Sequence, residues 1–174
     1  MTATQDTLNS SYREMLIEHL FVGEVMRHLW LRQITQFEVL KPQVDDSGYD
    51  LVLEANGIVR HVQLKASSTE ASTAKVTAKL ALARKPSGCV IWVRFNPKTI
   101  ELGPFLWFGA SPGQPLPDIQ GFPVTRHAKA NAQGMKLLRK NLRDVTRSRF
   151  ECVTSMDALV TQLFGQFVDP VAAV

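Results

Sequence analysis

Asp50, Gln63 and Lys65 are the three residues whose types and spacing could do chemistry together. Residues 49–54 and 59–66 alternate polar and apolar, and Asn56-Gly57 between them suits the positive φ angles of a two-residue type I′ turn. If those two form the loop, Ala55 faces Ile58, Val52 faces His61 and Asp50 faces Gln63, with Lys65 one diagonal step away. Alternation then gathers Asp50, Val52, Glu54, His61, Gln63 and Lys65 on one face and Leu51, Leu53, Val62 and Leu64 on the other. Opposed Cβ atoms lie about 5 Å apart and diagonal ones about 7–8 Å, so a carboxylate, an amide oxygen and an ammonium would reach one small cation or phosphate. The same groups would equally serve a solvated sheet face whose Asp–Lys pair contributes at most about 1 kcal/mol.

The elements that must position this hairpin begin with a long helix from Asn9 or Ser10, either of which can cap it, to about Arg32. Its apolar residues occur nearly all round, which predicts a largely buried helix. Glu18 and Glu24 are the carboxylates in its central part, and an ionised carboxylate on a buried helix needs a cation, whether a neighbouring arginine or a metal. Residues 36–40 read as a short strand, and residues 89–95 (CVIWVRF) as the central strand of the sheet. Residues 105–108 form a further strand, whereas residues 111–123, with four prolines, form a loop or cover. In residues 126–149, Met135, Leu138, Leu142 and Val145 recur at helical spacing, which predicts a basic helix or arm. A last strand at 150–153 precedes a helix capped by Ser155 and ended by Gly165.

With 174 residues and 45% hydrophobic content, one domain with a sizeable core is expected, with 1–8 and 170–174 loose. Cys89 and Cys152 sit in apolar, strand-like surroundings and read as free thiols. The sequence has no secretory leader pattern and no run of 18 apolar residues, so a cytoplasmic protein with no membrane partner is expected. Phosphate-loop, Rossmann, HExxH, paired CxxC and GxSxG motifs are missing, which removes support for nucleotide hydrolysis, dinucleotide cofactors, structural zinc and serine hydrolysis.

Charge is unevenly spread: residues 1–60 carry five Lys/Arg against nine Asp/Glu, residues 126–149 eight Lys/Arg against Asp144 alone. A basic segment beside an acidic centre suits a phosphodiester-binding protein that also holds a cation, and also a solvated basic face. Lys136, Arg139, Lys140, Arg143 and Arg147 are the candidate nucleic-acid contacts.

A helix with an inward Glu, a strand, and a hairpin whose first strand opens with Asp and whose second carries (E/Q)xK resembles the PD-(D/E)xK nuclease superfamily, which includes restriction endonucleases and Holliday-junction resolvases. The matching residues are Asp50 in GYDLVLE and Gln63-Leu64-Lys65 in HVQLKAS, and the resemblance spans about residues 14–95. It implies an α/β restriction-endonuclease-like core over about 14–110. An N-terminal helix would pack on a central mixed sheet containing the 49–66 hairpin, with C-terminal helices beyond. It further implies that Asp50 ligates Mg²⁺ or Mn²⁺, that Gln63 adds an amide oxygen, and that Lys65 positions or polarises the attacking water. The helix carboxylate would be Glu24, with Glu18 as fallback. Two residues depart from the pattern: Tyr49 stands where the family has Pro, and neutral Gln63 where it has a carboxylate. The implied activity is divalent-metal-dependent DNA cleavage, with a homodimer a reasonable assembly for cutting two strands. The alternatives are a nuclease-like fold that binds nucleic acid or protein without turnover, and an interaction domain unrelated to nucleic acid.

Overall fold

The computed structural model describes residues 9–44, 46–131 and 133–167. The terminal segments 1–8 and 170–174, expected to be loose, lie outside the described residues. Helix α1 (Ser10–Leu31) leads through β1 (Phe37–Leu40) into the hairpin of β2 (Leu51–Ala55) and β3 (Ile58–Ser68). There follow β4 (Lys75–Lys79), a 3₁₀ turn at Leu80–Arg84, β5 (Gly88–Phe95), β6 (Leu102–Gly109), β7 (Val124–Arg126), β8 (Leu138–Thr146), a 3₁₀ turn at Arg147–Arg149, β9 (Glu151–Val153) and α2 (Met156–Phe164). The architecture is α/β, with a mixed six-stranded sheet ordered β1-β2-β3-β5-β6-β9 and a second, three-stranded sheet ordered β4-β8-β7. Only the β3–β5 pair of the large sheet is parallel.

The hairpin has the expected register. Asn56 and Gly57 take φ of 54° and 69°, Ala55 pairs with Ile58, and Val52 pairs with His61. Every residue of β5 is buried, as its apolar run requires of a central strand. Leu51, Leu53, Val62, Cys89, Ile91 and Val93 face the two helices, where Ile17, Phe21, Val25 and Leu29 of α1 and Leu159, Val160 and Leu163 of α2 complete the main core. The opposite face of the large sheet is covered by the second sheet, the 3₁₀ turn at 80–84 and the proline-rich cover, through Ala78, Leu82, Val90, Phe108, Leu116, Ile119 and Val145.

Five expectations need correction. α1 buries a single stripe at i, i+4 spacing and leaves Tyr12, Met15, Met26 and Trp30 exposed, so it is a surface helix on one core rather than a buried one. Its first turn has no side-chain cap; Asn9 takes part through its backbone carbonyl, which accepts from Arg13 N–H at 2.9 Å. The basic stretch is the strand β8, not a helix, because β4 and β7 flank it on both sides and satisfy its backbone. A single C-terminal helix follows in the described residues, α2, with Ser155 Oγ accepting from Ala158 N–H and Gly165 at φ 76°. Lastly, the polar face of the hairpin is not a wet sheet surface, since the second sheet lies over much of it.

Arg60 fastens α2 to the sheet. Its fully buried guanidinium donates Nε–H to Leu163 O at 2.7 Å and Nη2–H to Gln162 O at 2.9 Å and Ala110 O at 3.1 Å. Two of these acceptors are last-turn carbonyls of α2, which lack helical donors and carry the negative end of its dipole. The Trp107 ring covers the group, with its centroid 5.3 Å from the guanidinium carbon.

Candidate functional site

A notch opens in the large sheet because β3 outruns β2. The last β2–β3 pair is Leu51 with Val62, while β3 continues beside β5 to Ser68, so the edge from Leu64 onward has no β2 partner. Asp50 sits at this corner. Its N–H donates to Val62 O at 2.8 Å and its Oδ2 accepts from Leu64 N–H at 2.7 Å, so the side chain extends the ladder one step after the backbone departs. Gly48 sets the approach of this loop: at φ 89° it lies against the 80–84 turn, where a Cβ would meet Leu82 N at 2.6 Å.

The notch is a cavity of about 470 Å³ whose polar lining comprises Ser11, Glu14, Glu18, Lys41, Asp50 and Lys65. Asp50, Lys65 and Glu18 are therefore brought together. Glu18 forms an ion pair with Lys41, whose ammonium is the more exposed of the two. Lys41, at the exit of β1, reads in the sequence only as the residue before a strand-ending proline, and nothing in local pattern marks it as a member of the site.

Two expected residues are elsewhere. Gln63 is 1% exposed and turned toward the second sheet, where its Oε1 accepts from Lys79 N–H at 3.2 Å. Its amide links the two sheets. Glu24 lines a different groove with Arg27, His28 and Thr99, and its Oε2 pairs with Arg27 Nη2 at 2.8 Å. Six residues separate Glu18 from Glu24, about 240° of helical rotation, and the end of α1 nearest the hairpin opening brings Glu18 to the notch. His61 packs edge-on against Tyr49 with centroids 5.0 Å apart. Burial and the nearby Lys85 charge lower its pKa, which favours the neutral ring.

A second cavity, of about 550 Å³, is cationic. Lys79, Arg84, His127, Arg139 and Lys140 line it, with Asp46 as its carboxylate. Lys79, which lines the cationic cavity, donates its backbone N–H to Gln63, which lies on the opposite face of β3 from its chain neighbour Leu64 in the notch lining. Of the basic residues singled out in sequence, Arg139 and Lys140 line this groove. Arg143 is spent on the backbone, donating to Gln120, Lys140 and Leu142 carbonyls. Lys136 is exposed ahead of β8, and Arg147 lies in the 3₁₀ turn after it, its positive charge helping to lower the pKa of the buried Arg94 after burial itself. Nothing local in the sequence marks Lys79, Arg84 and His127 as a group, because the first two lie at 79–84 and His127 more than forty residues later.

Asp50 and Glu18 supply hard oxygen donors to one cavity, which matches a cation that takes one or two carboxylates and keeps waters for the rest of its shell. Among the described residues no group of three or more His, Cys, Asp or Glu side chains is placed to hold a metal ion. No described helix is long and apolar enough to cross a membrane. Comparison of the chain with protein-family models, curated proteins and solved structures gave no match.

Proposed function

We propose that this chain is a divalent-metal-dependent nuclease with a restriction-endonuclease-like core, and that it hydrolyses phosphodiester bonds in DNA. The observation that carries the proposal is the shared notch: Asp50, Lys65 and Glu18, from three separate parts of the chain, line one cavity, and the fold also carries a separate groove rich in cations. Asp50 and Glu18 would hold Mg²⁺ or Mn²⁺, and the ion would supply Lewis acidity toward a phosphoryl oxygen and acidify water. Lys65 holds a positive charge where the scissile phosphate and its attacking water would meet, which favours the developing anionic charge. Lys79, Arg84, Arg139 and Lys140 suit the neighbouring phosphates, a contact that carries register rather than sequence information. Lys41 neutralises Glu18 until a stronger cation takes its place.

Supercoiled plasmid and branched oligonucleotide substrates test this directly. The wild type should cut with Mg²⁺ or Mn²⁺ and not in EDTA, and Lys65→Met should lower cutting at least about 100-fold, the scale of losing one positioned charge or proton-transfer group. Cutting that survives Lys65→Met unchanged would remove the assignment.

A second proposal is binding without turnover, favoured by the neutral, buried Gln63 and by the Glu18–Lys41 pair. It predicts salt-sensitive DNA binding in EDTA that weakens when Arg139 and Lys140 are both neutralised, with no cutting under any metal.

A further inference from the structure

α1 carries an apolar face on its solvent side as well as on its core side. Tyr12, Leu16, His19, Gly23, Met26 and Trp30 follow one another at intervals of four, three, four, three and four residues, the 3.5-residue period of a helix–helix seam. This line lies opposite the buried stripe of Ile17, Phe21, Val25 and Leu29. Tyr12 is 64% exposed, Met26 53% and Trp30 69%, and no described residue covers them. Along the seam the only acidic or basic group is His19, with Arg27, already bridged to Glu24, at its rim.

We propose that this face binds the same face of a second copy of the chain, with the two α1 helices antiparallel. The seam is self-complementary under reversal: a two-fold axis near Phe21 sets Tyr12 against Trp30 of the second copy, Leu16 against Met26, and the His19 ring against Gly23. A Cβ built on Gly23 would meet nothing within 4 Å, so that position offers open space to the incoming ring. Antiparallel placement also sets the helix dipoles head to tail. Large side chains present roughly 200 Å² each, so the exposed fractions of Tyr12, Met15, Met26 and Trp30 amount to about 470 Å² per chain. The pair would bury about 950 Å² from these four side chains, the size of a weak, reversible interface, which matches a micromolar association. A lipid surface fits less well, because a membrane-lying helix pairs its apolar side with a solvated cationic one, and here the reverse side of α1 is the protein core. The proposal does not rest on the nuclease assignment, although Met15 also lines the notch.

Light scattering after size exclusion at about 50 µM, a concentration suited to micromolar association, should give twice the 19.4 kDa chain mass. Met26→Glu, at an exposed position, should return the single-chain mass with an unchanged circular dichroism spectrum and weaken association at least about 30-fold. Orientation is tested in a Cys152→Ser background, which removes the exposed thiol. Tyr12→Cys chains mixed with Trp30→Cys chains should form a disulfide, while Tyr12→Cys alone should not, its two copies lying about 27 Å apart along the helices. A monomeric wild type, a monomer that instead binds anionic vesicles, a dimer that survives Met26→Glu, or cross-linking of Tyr12→Cys alone would each overturn the proposal.

Discussion

Asp50 holds both a place in the fold and a place in the proposed chemistry, and substitutions can separate the two. Its Oδ2 accepts the Leu64 N–H at 2.7 Å at the point where β3 loses its partner strand. Asp50→Ala removes a charge-assisted bond and leaves a half-buried N–H without that acceptor, at a cost of about 1.5–3 kcal/mol. Asp50→Asn keeps an oxygen that can accept and should cost about 0.5–1 kcal/mol. For a domain of this size, where 1 kcal/mol moves Tm by about 2–4 °C, Asp50→Ala should melt about 3–12 °C below the wild type and Asp50→Asn within about 4 °C of it. Thermal melts by circular dichroism, with urea titrations, measure this. Both variants should lose metal-dependent cutting, because the amide lacks the negative charge a hard cation requires. Equal melting temperatures for Asp50→Ala and wild type would refute the ladder-extending role, and an Asp50→Asn variant that cuts at the wild-type rate would refute the metal role.

Arg60→Ala should cost about 3–5 kcal/mol in urea titration, because the last-turn carbonyls of α2 lose their donor; Arg60→Met, which recovers the cost of burying a charge, should lose less. Burial works to raise the Asp144 carboxyl, but hydrogen bonds from Lys75 and Thr125 and the Lys75 charge outweigh it and hold the pKa below the usual carboxylate value. The stability Asp144 contributes is therefore complete above pH about 4 and lost as pH falls through its lower folded value, a slope that Asp144→Asn should remove from acid titrations. Burial pushes the Cys89 thiol up to about 12, so iodoacetamide at pH 8 should modify Cys152 and leave Cys89 unmodified until the chain unfolds. Modification of Cys89 in the native state would show that the start of β5 opens far more readily than its burial implies.

Where local rules suffice, the sequence is informative. Asn56-Gly57 dictates the hairpin register, the unbroken apolar run at Cys89–Phe95 identifies the central strand, and Ser155 with Gly165 brackets α2. β8 was misread because Met135, Leu138, Leu142 and Val145 coincide with helical spacing, while its strand partners lie at Lys75–Lys79 and Val124–Arg126, distant in sequence. α1 shows the same limit: two apolar faces are legible, but not that one of them stays bare. The candidate site divides likewise. Pattern places Asp50 beside β3, but choosing Glu18 over Glu24 depends on which end of α1 reaches the notch, and the orientation of Gln63 depends on a second sheet that covers it.

The most direct measurement is paired: DNA cleavage with Mn²⁺ and DNA binding in EDTA, for the wild type and Asp50→Asn at equal concentration. Binding should be equal for both, and cutting should be confined to the wild type. Cutting by both, or wild-type binding with no cutting under either Mg²⁺ or Mn²⁺, would contradict the proposed chemistry.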